Sequence, residues 1–211
     1  MRNDIILNIA KRLSEPLPGE NAQMLMGSGI RMKELRFMPA DENTKKSAVM
    51  ILLYPKNNSI YSVLILRPKY NGTHSGQVSL PGGKFETCDN DFSETALRET
   101  QEEVGIDASK INIIGALTEL FIPPSNFLVF PFVGYLNEEP LFFANKKEVT
   151  KIIEYPISML INEDIVKTKT FEIKNNISFA APYFDINGNV VWGATAMILS
   201  EFKEILKKKK L

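Results

Sequence analysis

The spacing of hydrophobic residues changes several times along the first half of the chain. Over residues 5–13 the apolar residues recur at helical spacing and predict an N-terminal helix. Residues 15–45 mix polar and apolar residues with several prolines and glycines, so an irregular arm is expected there. The apolar runs 47–54 and 60–67, separated by a turn-like polar sequence, predict the two strands of a hairpin. A polar loop then leads to a short predicted strand at 78–80.

Strand-like patterns dominate the second half. Residues 111–117 and 127–135 are rich in β-branched and aromatic residues, which is typical of strands. The segment 149–155 fits either a strand or a helix, and a short helix is expected from Pro156 onwards.

The C-terminal part predicts a second hairpin and a closing helix. Asn187-Gly188 is a strong turn sequence between two strand-like runs, and residues 194–207 have a helical pattern. Helices mixed with hairpins, without regular β-α-β alternation, predict an α+β fold in which helices pack on a mixed β-sheet.

One predicted helix has well-marked ends. Asp91 and Glu94 have the spacing of a capping box, and Gly105 supplies the left-handed residue that commonly follows a helix. Helical periodicity predicts a buried stripe on one side of it. The residues of this stripe are Ser93, Ala96, Leu97, Thr100 and Val104.

Three glutamates of this helix form a predicted carboxylate patch. Glu99, Glu102 and Glu103 fall within about one quadrant opposite the buried stripe. Like charges at such spacing repel by about a few tenths of a kcal/mol per pair. Arg98 precedes Glu102 by one helical turn and is placed to pair with it. The patch is therefore expected either to point into water, to dock a basic partner, or to be neutralised by a cation.

Of these three alternatives, the sequence just upstream of the helix favours neutralisation of the patch by a cation. Gly82-Gly83 allows close approach of the backbone and offers a carbonyl that no side chain obstructs. Hard divalent cations such as Mg²⁺ take carboxylate and carbonyl oxygens and are readily shared with substrate phosphates. A glycine loop that leads into a glutamate-rich helix therefore predicts a site for a divalent cation and a phosphate.

The composition narrows the classes of protein. Twenty-five basic residues balance 25 acidic ones, which gives no indication of a nucleic-acid or membrane partner. The hydrophobic fraction of 44% is sufficient for a packed core. No apolar run approaches the ~20 residues that span a bilayer, and the N-terminus is a poor match to a signal peptide. With Cys88 as the single cysteine, which excludes an internal disulfide, we expect a cytoplasmic protein.

A stretch that begins at Gly83 resembles the signature of the Nudix hydrolases. In that family the helix ends with the pattern R-E-x-x-E-E-x-G-aliphatic, and residues 98–106 fill every fixed position of it. The segment between Gly83 and Arg98 is one residue longer than in the commonest form of the signature. The first glutamate of the family therefore has no unambiguous counterpart, and Asp89 and Asp91 are the acidic candidates.

A second set of residues resembles the coenzyme A pyrophosphatase branch of this family. Glu86 and Asp89 resemble the acidic pair of that branch. Arg67 together with the sequence GTHSGQVSLPGGK, residues 72–84, is similar to its upstream motif. Thr73 stands close to the place where the branch carries a basic residue.

The resemblance implies a fold and a domain organisation. Nudix hydrolases are α/β/α sandwiches that cleave a nucleoside diphosphate linked to another group, with Mg²⁺ or Mn²⁺ as cofactor. We predict an N-terminal helix and arm over residues 1–44 and a Nudix hydrolase domain over 45–211. An extension of this size can form a lid or a contact between two copies, so a homodimer is one expected state.

The resemblance also implies roles for individual residues. Glu99, Glu102 and Glu103 would bind the metal ion, and the carbonyl of Gly83 would complete its coordination shell. Glu99 would also be a candidate for orienting or deprotonating the attacking water. Arg98 would hold the carboxylates in place through a salt bridge.

The expected substrate is a small nucleotide, most specifically coenzyme A or acyl-CoA, cleaved to adenosine 3′,5′-bisphosphate and 4′-phosphopantetheine. ADP-ribose or a dinucleoside polyphosphate is the alternative, and a non-catalytic nucleotide-binding module is the alternative of another class. Arg67 would either pair with a phosphate or form a salt bridge, and His74 would contact substrate or pack in its loop rather than act as general base. The residues expected to contact the substrate are Arg67, His74, Gly76, Gln77, Ser79, Gly82 and Gly83.

Overall fold

The computed structural model describes residues 2–29, 40–69, 74–173 and 177–207. The helices are α1 (Arg2–Leu13), α2 (Gly19–Met24), α3 (Phe92–Val104) and α4 (Gly193–Lys207). The strands are β1 (Lys45–Lys56), β2 (Ser59–Leu66), β3 (Val78–Ser79), β4 (Gly82–Lys84), β5 (Asn112–Ala116), β6 (Leu120–Ile122), β7 (Phe127–Tyr135), β8 (Lys151–Pro156), β9 (Val166–Ile173), β10 (Ile177–Ile186) and β11 (Asn189–Trp192). Short 3₁₀ helices occupy Ala108–Lys110, Pro123–Ser125, Ile157–Ile161 and Glu163–Ile165. Within these ranges no helix is long and apolar enough to cross a bilayer.

A mixed β-sheet forms the centre of the fold. Among the described residues, eight strands join it, in the order β3-β2-β1-β7-β5, with β4 paired to β1, β6 to β7 and β8 to β2. β1 is antiparallel to β2 and parallel to β7, so the sheet is mixed. A smaller antiparallel sheet has the order β11-β10-β9.

Hydrophobic side chains cover both faces of the central sheet. Ile51 and Leu53 of β1 belong to a core cluster that includes Phe202 of α4. Met50 of β1 belongs to a second cluster that includes Val104 of α3. Burial on both faces explains why β1 is continuously apolar rather than alternating, since neither face meets water. The α+β fold with helices on a mixed sheet, predicted from the sequence, is confirmed.

The N-terminal segment packs on the α4 side of the sheet. Ile6, Ile9 and Leu13 of the predicted first helix belong to the same buried cluster as α4. The division at residue 44 into an arm and a domain remains a prediction.

The expectation of an irregular arm over residues 15–45 is partly wrong, because α2 lies within it. Tertiary contacts fix this short helix: the Gly19 N–H donates to Glu201 Oε1 at 3.0 Å, and Gln23 Nε2 donates to Glu201 Oε2 at 2.9 Å. Both acceptor atoms belong to α4, so a local pattern had no means of indicating the helix. Residues 30–39 of the arm lie outside the described part of the chain.

Most of the other predicted elements are present. Both hairpins are found, and the undecided segment 149–155 forms strand β8. The short helix expected from Pro156 is a 3₁₀ helix. Strand β9 was not predicted, since its sequence VKTKTFEI is largely polar and forms the edge of the smaller sheet.

Candidate functional site

Helix α3 begins and ends as its sequence predicts. Asp91 Oδ1 accepts from the backbone N–H groups of Ser93 and Glu94 at 2.8 and 3.0 Å. Gly105 has a φ of +74°, and its N–H donates to the carbonyl of Gln101. The capping box is incomplete, because the Glu94 carboxylate bonds Asn90 instead of the Asp91 N–H. These local bonds set the start of α3 after Asp91 and its end before Gly105.

The buried face of α3 differs from the predicted stripe. Leu97 and Ser93 are only partly buried, whereas Glu103 is 1% exposed. The prediction that all three glutamates lie opposite the core is therefore wrong for Glu103. Strand β4, paired to β1 beside the helix, covers this side chain. The buried residues of α3 are Thr95, Ala96, Thr100, Glu103 and Val104.

Glu103 is held by two groups from the strands. Its Oε2 accepts from the Gly82 N–H at 2.8 Å, and its Oε1 lies 3.4 Å from Nη2 of Arg67. Burial raises the pKa of Glu103 to about 7, although Arg67 and the Gly82 N–H both oppose this shift. An ionised Glu103 would therefore gain from a further positive charge nearby.

Glu99, Glu103 and Glu148 form a carboxylate cluster. One oxygen from each lies within 4.8 Å of the others. Glu148 was not predicted. It lies on an exposed loop whose Asn145 N–H donates to the Glu103 carbonyl at 3.0 Å and whose Asn145 Nδ2 donates to Glu148 Oε1 at 3.2 Å. The bond to the end of α3 brings this loop to the site, and no sequence pattern marks it.

Glu99 lies against the glycine strand β4. Its side chain is 13% exposed, and Arg98 Nη1 donates to its Oε1 at 2.9 Å. Burial raises the pKa of Glu99 despite this partner. A Cβ added at Gly83 would lie 2.5 Å from Glu99 Oε2, so only glycine permits this approach.

Glu102 occupies a different environment from the other two glutamates of the signature. Its side chain is 49% exposed, and it pairs with Arg98 at 3.5 Å, the contact expected from their spacing. Within the described chain it lies outside the carboxylate cluster. Its role as a metal ligand stays a prediction.

Asp89 forms a bidentate ion pair with Arg98. Nε and Nη2 of Arg98 donate to the two carboxylate oxygens of Asp89 at 2.9 and 3.0 Å. Asp89 also accepts from the Glu86 N–H and the Thr95 hydroxyl, and hydrogen bonding from Arg98 holds its pKa well below the usual range. Of the two acidic candidates, Asp91 therefore caps the helix and Asp89 anchors Arg98. In this way Arg98 is fixed where it can hold Glu99.

The Asp89→Asn variant is expected to lose about 2–3 kcal/mol of stability near neutral pH, since it breaks a largely buried ion pair. The pKa of Asp89 is depressed below its unfolded value of 3.8. Its stabilising effect is therefore present above that pH and is lost as the pH falls through the folded-state pKa. Urea unfolding at about pH 7 and about pH 3 should show a difference from wild type that shrinks in acid. Glu86→Gln, which removes an exposed carboxylate from the same loop, is the control, and an equal loss at both pH values would contradict the assignment.

Arg67 links two of the other predicted substrate residues to the cluster. Its Nε donates to Ser79 Oγ at 3.1 Å and its Nη2 to the Gly82 carbonyl at 3.0 Å. With Glu103 as a further partner, the guanidinium makes the salt bridge that was the alternative to a phosphate contact. Arg67 thus positions Glu103 and β4.

Three further predicted substrate residues, His74, Gly76 and Gln77, lie in the loop after β2. His74 is exposed, and its Nδ1 lies 3.1 Å from Gln77 Oε1. The Gly76 N–H donates to the Pro68 carbonyl and the Arg67 N–H to the Gln77 carbonyl, so the two ends of this loop are bonded to each other. Residues 70–73 of the loop lie outside the described ranges. Contact of these residues with a substrate stays a prediction.

A cavity opens beside the carboxylate cluster. It has a volume of about 510 Å³. Arg67, Pro68, Lys69, Lys147 and Glu148 line it. Because Glu148 belongs to both, a molecule in this cavity would lie next to the carboxylates.

The carboxylate cluster has the chemistry of a site for a hard divalent cation. Three carboxylates converge on one point, one of them fully buried with a raised pKa, and their repulsion is only partly offset by Arg67 and Arg98. Mg²⁺ and Mn²⁺ take such oxygen ligands. The residues present therefore fit one of these ions.

Comparison with known proteins gives a consistent result. The NUDIX domain family model matches residues 44–167. Nudix hydrolase 22, chloroplastic, of Arabidopsis thaliana is 34% identical over 175 residues, which cover 80% of this chain and 56% of the relative. Nudix hydrolase 3 of Caenorhabditis elegans is 28% identical over 189 residues, covering 82% of this chain and 78% of the relative.

Two further comparisons concern length and fold. The chain spans 56%, 58% and 48% of three of the curated relatives that it matches. The crystal structure of a Nudix hydrolase from M. smegmatis, RenU, superposes with a TM-score of 0.53 at 12% identity, covering 82% of this chain and 95% of that one. This similarity supports the fold. Because the family model matches more than half of the 211 residues, the chain belongs to the NUDIX domain family.

Proposed function

We propose that the protein hydrolyses the phosphoanhydride of a nucleoside diphosphate linked to another group, with Mg²⁺ or Mn²⁺ as cofactor. The observation that carries this proposal is the carboxylate cluster, in which the buried Glu103 meets Glu99 and Glu148 beside the glycine strand β4. A solvated acidic face would not bury one of its carboxylates or draw in a third from a separate loop.

Glu99, Glu103 and Glu148 would hold the metal ion. Glu102 and the carbonyl of Gly83 are proposed as further ligands. A bound divalent ion supplies positive charge that stabilises the phosphate oxygens and acidifies water.

The chain's own groups would position the reactants and move the proton. Arg67 and the Gly82 N–H fix Glu103, and Arg98 fixes Glu99. Glu99 is the proposed base: the water oxygen bonds to phosphorus, the bridging P–O bond breaks, and the carboxylate accepts the water proton.

Coenzyme A or acyl-CoA is the proposed substrate. The sequence resemblance of Arg67 and residues 72–84 to the coenzyme A pyrophosphatases supports this choice. The cavity lined by Arg67, Lys69 and Lys147 also suits a polyanionic substrate. A homodimer and a cytoplasmic location, expected from the sequence, stay predictions.

Mass spectrometry of reaction products tests the substrate. The protein should convert coenzyme A to adenosine 3′,5′-bisphosphate and 4′-phosphopantetheine when Mg²⁺ is present. If coenzyme A is not cleaved while ADP-ribose or a dinucleoside polyphosphate is, the proposed substrate is wrong but the proposed hydrolysis of a phosphoanhydride is supported. If no anhydride is cleaved with either metal, the protein is a binding module.

Metal ions are expected to stabilise the fold. A divalent ion relieves the repulsion in the carboxylate cluster and binds only the native state, so Mg²⁺ or Mn²⁺ at about 100 times its dissociation constant should add about 2.7 kcal/mol. Thermal unfolding with and without each ion measures this, and a chelator should abolish both the shift and the hydrolysis. A melting temperature that neither ion changes, together with hydrolysis that continues in the presence of chelator, would rule out the metal site.

A further inference from the structure

We propose that Lys69 and Lys147 form a second anion site, which binds a phosphate monoester that the substrate carries outside the scissile anhydride. This inference rests on the proposed function, because it assumes that the anhydride lies at the carboxylate cluster. The two lysines line the cavity that opens next to that cluster. The substrate class is therefore a nucleotide with an additional phosphate group.

The charges of the cavity are unequal. Arg67, Lys69 and Lys147 contribute three positive charges to its lining, and Glu148 contributes one negative charge. The protein as a whole has no net charge. A cavity with an excess of positive charge raises the local concentration of anions, so this region favours an anionic ligand.

The three cations of the cavity are not equivalent. Arg67 already bonds the Gly82 carbonyl and pairs with Glu103. Within the described ranges, neither Lys69 nor Lys147 makes a salt bridge. Other lysines of the chain do pair with carboxylates. These are Lys56, Lys167, Lys203 and Lys207.

Lys69 and Lys147 lie on two loops that also contribute residues to the site. Lys69 follows Pro68, whose carbonyl accepts from the Gly76 N–H at 3.1 Å. The Lys147 N–H donates to Asn145 Oδ1 at 3.2 Å, in the loop that the end of α3 holds. The two side chains therefore reach one cavity from two anchored loops.

The lysines are available to a second phosphate rather than to the scissile anhydride. Within the described residues, neither lysine forms a salt bridge with Glu99, Glu103 or Glu148. The anhydride would be neutralised at the carboxylate cluster by the metal ion. An ammonium group is a strong point-charge partner for phosphate, so the lysines are free to take another phosphate of the same molecule.

Equilibrium titration with two mononucleotides tests this site. Adenosine 3′,5′-bisphosphate and 5′-AMP differ by one phosphate, and neither contains an anhydride to be cleaved. In the presence of Mg²⁺ the wild type should bind the bisphosphate about tenfold more tightly. The Lys69→Ala/Lys147→Ala double variant should bind both ligands with the affinity of wild type for 5′-AMP. Lys11→Ala, which removes an exposed positive charge from α1, should change neither affinity.

Two results would overturn the proposal: equal affinity of the wild type for both nucleotides, or an equal loss for both in the double variant. The second result would assign the lysines to the 5′-phosphate. Should the alanine variant fold poorly, Lys69→Gln/Lys147→Gln keeps most of each side chain and gives the same comparison. Hydrolysis is assayed separately, so a wild type that prefers the bisphosphate and cleaves no anhydride refutes the proposed function while this site stands.

Discussion

The Glu103→Gln variant is expected to lose turnover by a factor of about 10² to 10⁴, since a metal site supplies several kcal/mol of charge stabilisation and each 1.36 kcal/mol is tenfold in rate. Glu103 is the buried member of the carboxylate cluster, and its two oxygens are fixed by Gly82 and Arg67. Glutamine keeps the shape and can still accept from the Gly82 N–H, but it contributes no negative charge. Steady-state hydrolysis with saturating Mg²⁺ measures the effect.

In acid, where Glu103 is protonated, the fold of this variant is expected to stay within about 1 kcal/mol of wild type. Burial raises the pKa of Glu103 to about 7 from its ordinary value of 4.5, so the wild type loses stability as the pH rises between these values. The glutamine variant has no such loss and should become the more stable of the two. Glu94→Gln, on the same helix but bonded to Asn90, is the control and should keep its activity. Glu102→Gln should lose less than Glu103→Gln, because Glu102 is half exposed and outside the cluster. Wild-type turnover in Glu103→Gln would remove this residue from the site.

The Gly83→Ala variant is expected to fold normally and to lose turnover by about 100-fold, which is what a misplacement of about 1 Å can cost. The atoms nearest to the new methyl group belong to the carboxylate end of Glu99, a side chain that can rotate away. Denaturant unfolding should therefore be near wild type while hydrolysis falls. Full activity would show that Glu99 can move without consequence.

The neighbouring Gly82→Ala variant is expected to lose stability instead, on the order of 3 kcal/mol. Gly82 has a φ of +148°, and an added Cβ would lie 2.6 Å from Val49 Cα, a backbone atom that cannot rotate away. Gly29→Ala, where an added Cβ meets no atom of the described residues within 4 Å, is the control for both glycine variants. Equal unfolding midpoints for Gly82→Ala and Gly29→Ala would contradict the packing argument.

Several features of the site were predictable because they depend on neighbours in the sequence. The cap at Asp91 and the left-handed Gly105 follow from backbone requirements that act within a few residues. The contact between Arg98 and Glu102 follows from the pitch of a helix. Strand β1 followed from its apolar run, whatever covers its faces.

Other features depended on which groups meet across the fold. Glu103 is buried because β4 pairs with β1 beside α3, and helical periodicity alone put this residue on the opposite face. Asp89 became the anchor of Arg98 only through the turn before α3. Glu148 reached the cluster through the bond between Asn145 and the end of α3.

The sequence by itself determined most of the elements, the ends of α3 and the family, because propensity, capping and a contiguous signature are local properties of the chain. Only the tertiary structure decided which carboxylates form the cluster, which lysines line the cavity beside it and which glutamate is buried. Burial and electrostatic coupling depend on distances between segments that lie far apart in the chain, and a hydrophobic pattern records none of these distances.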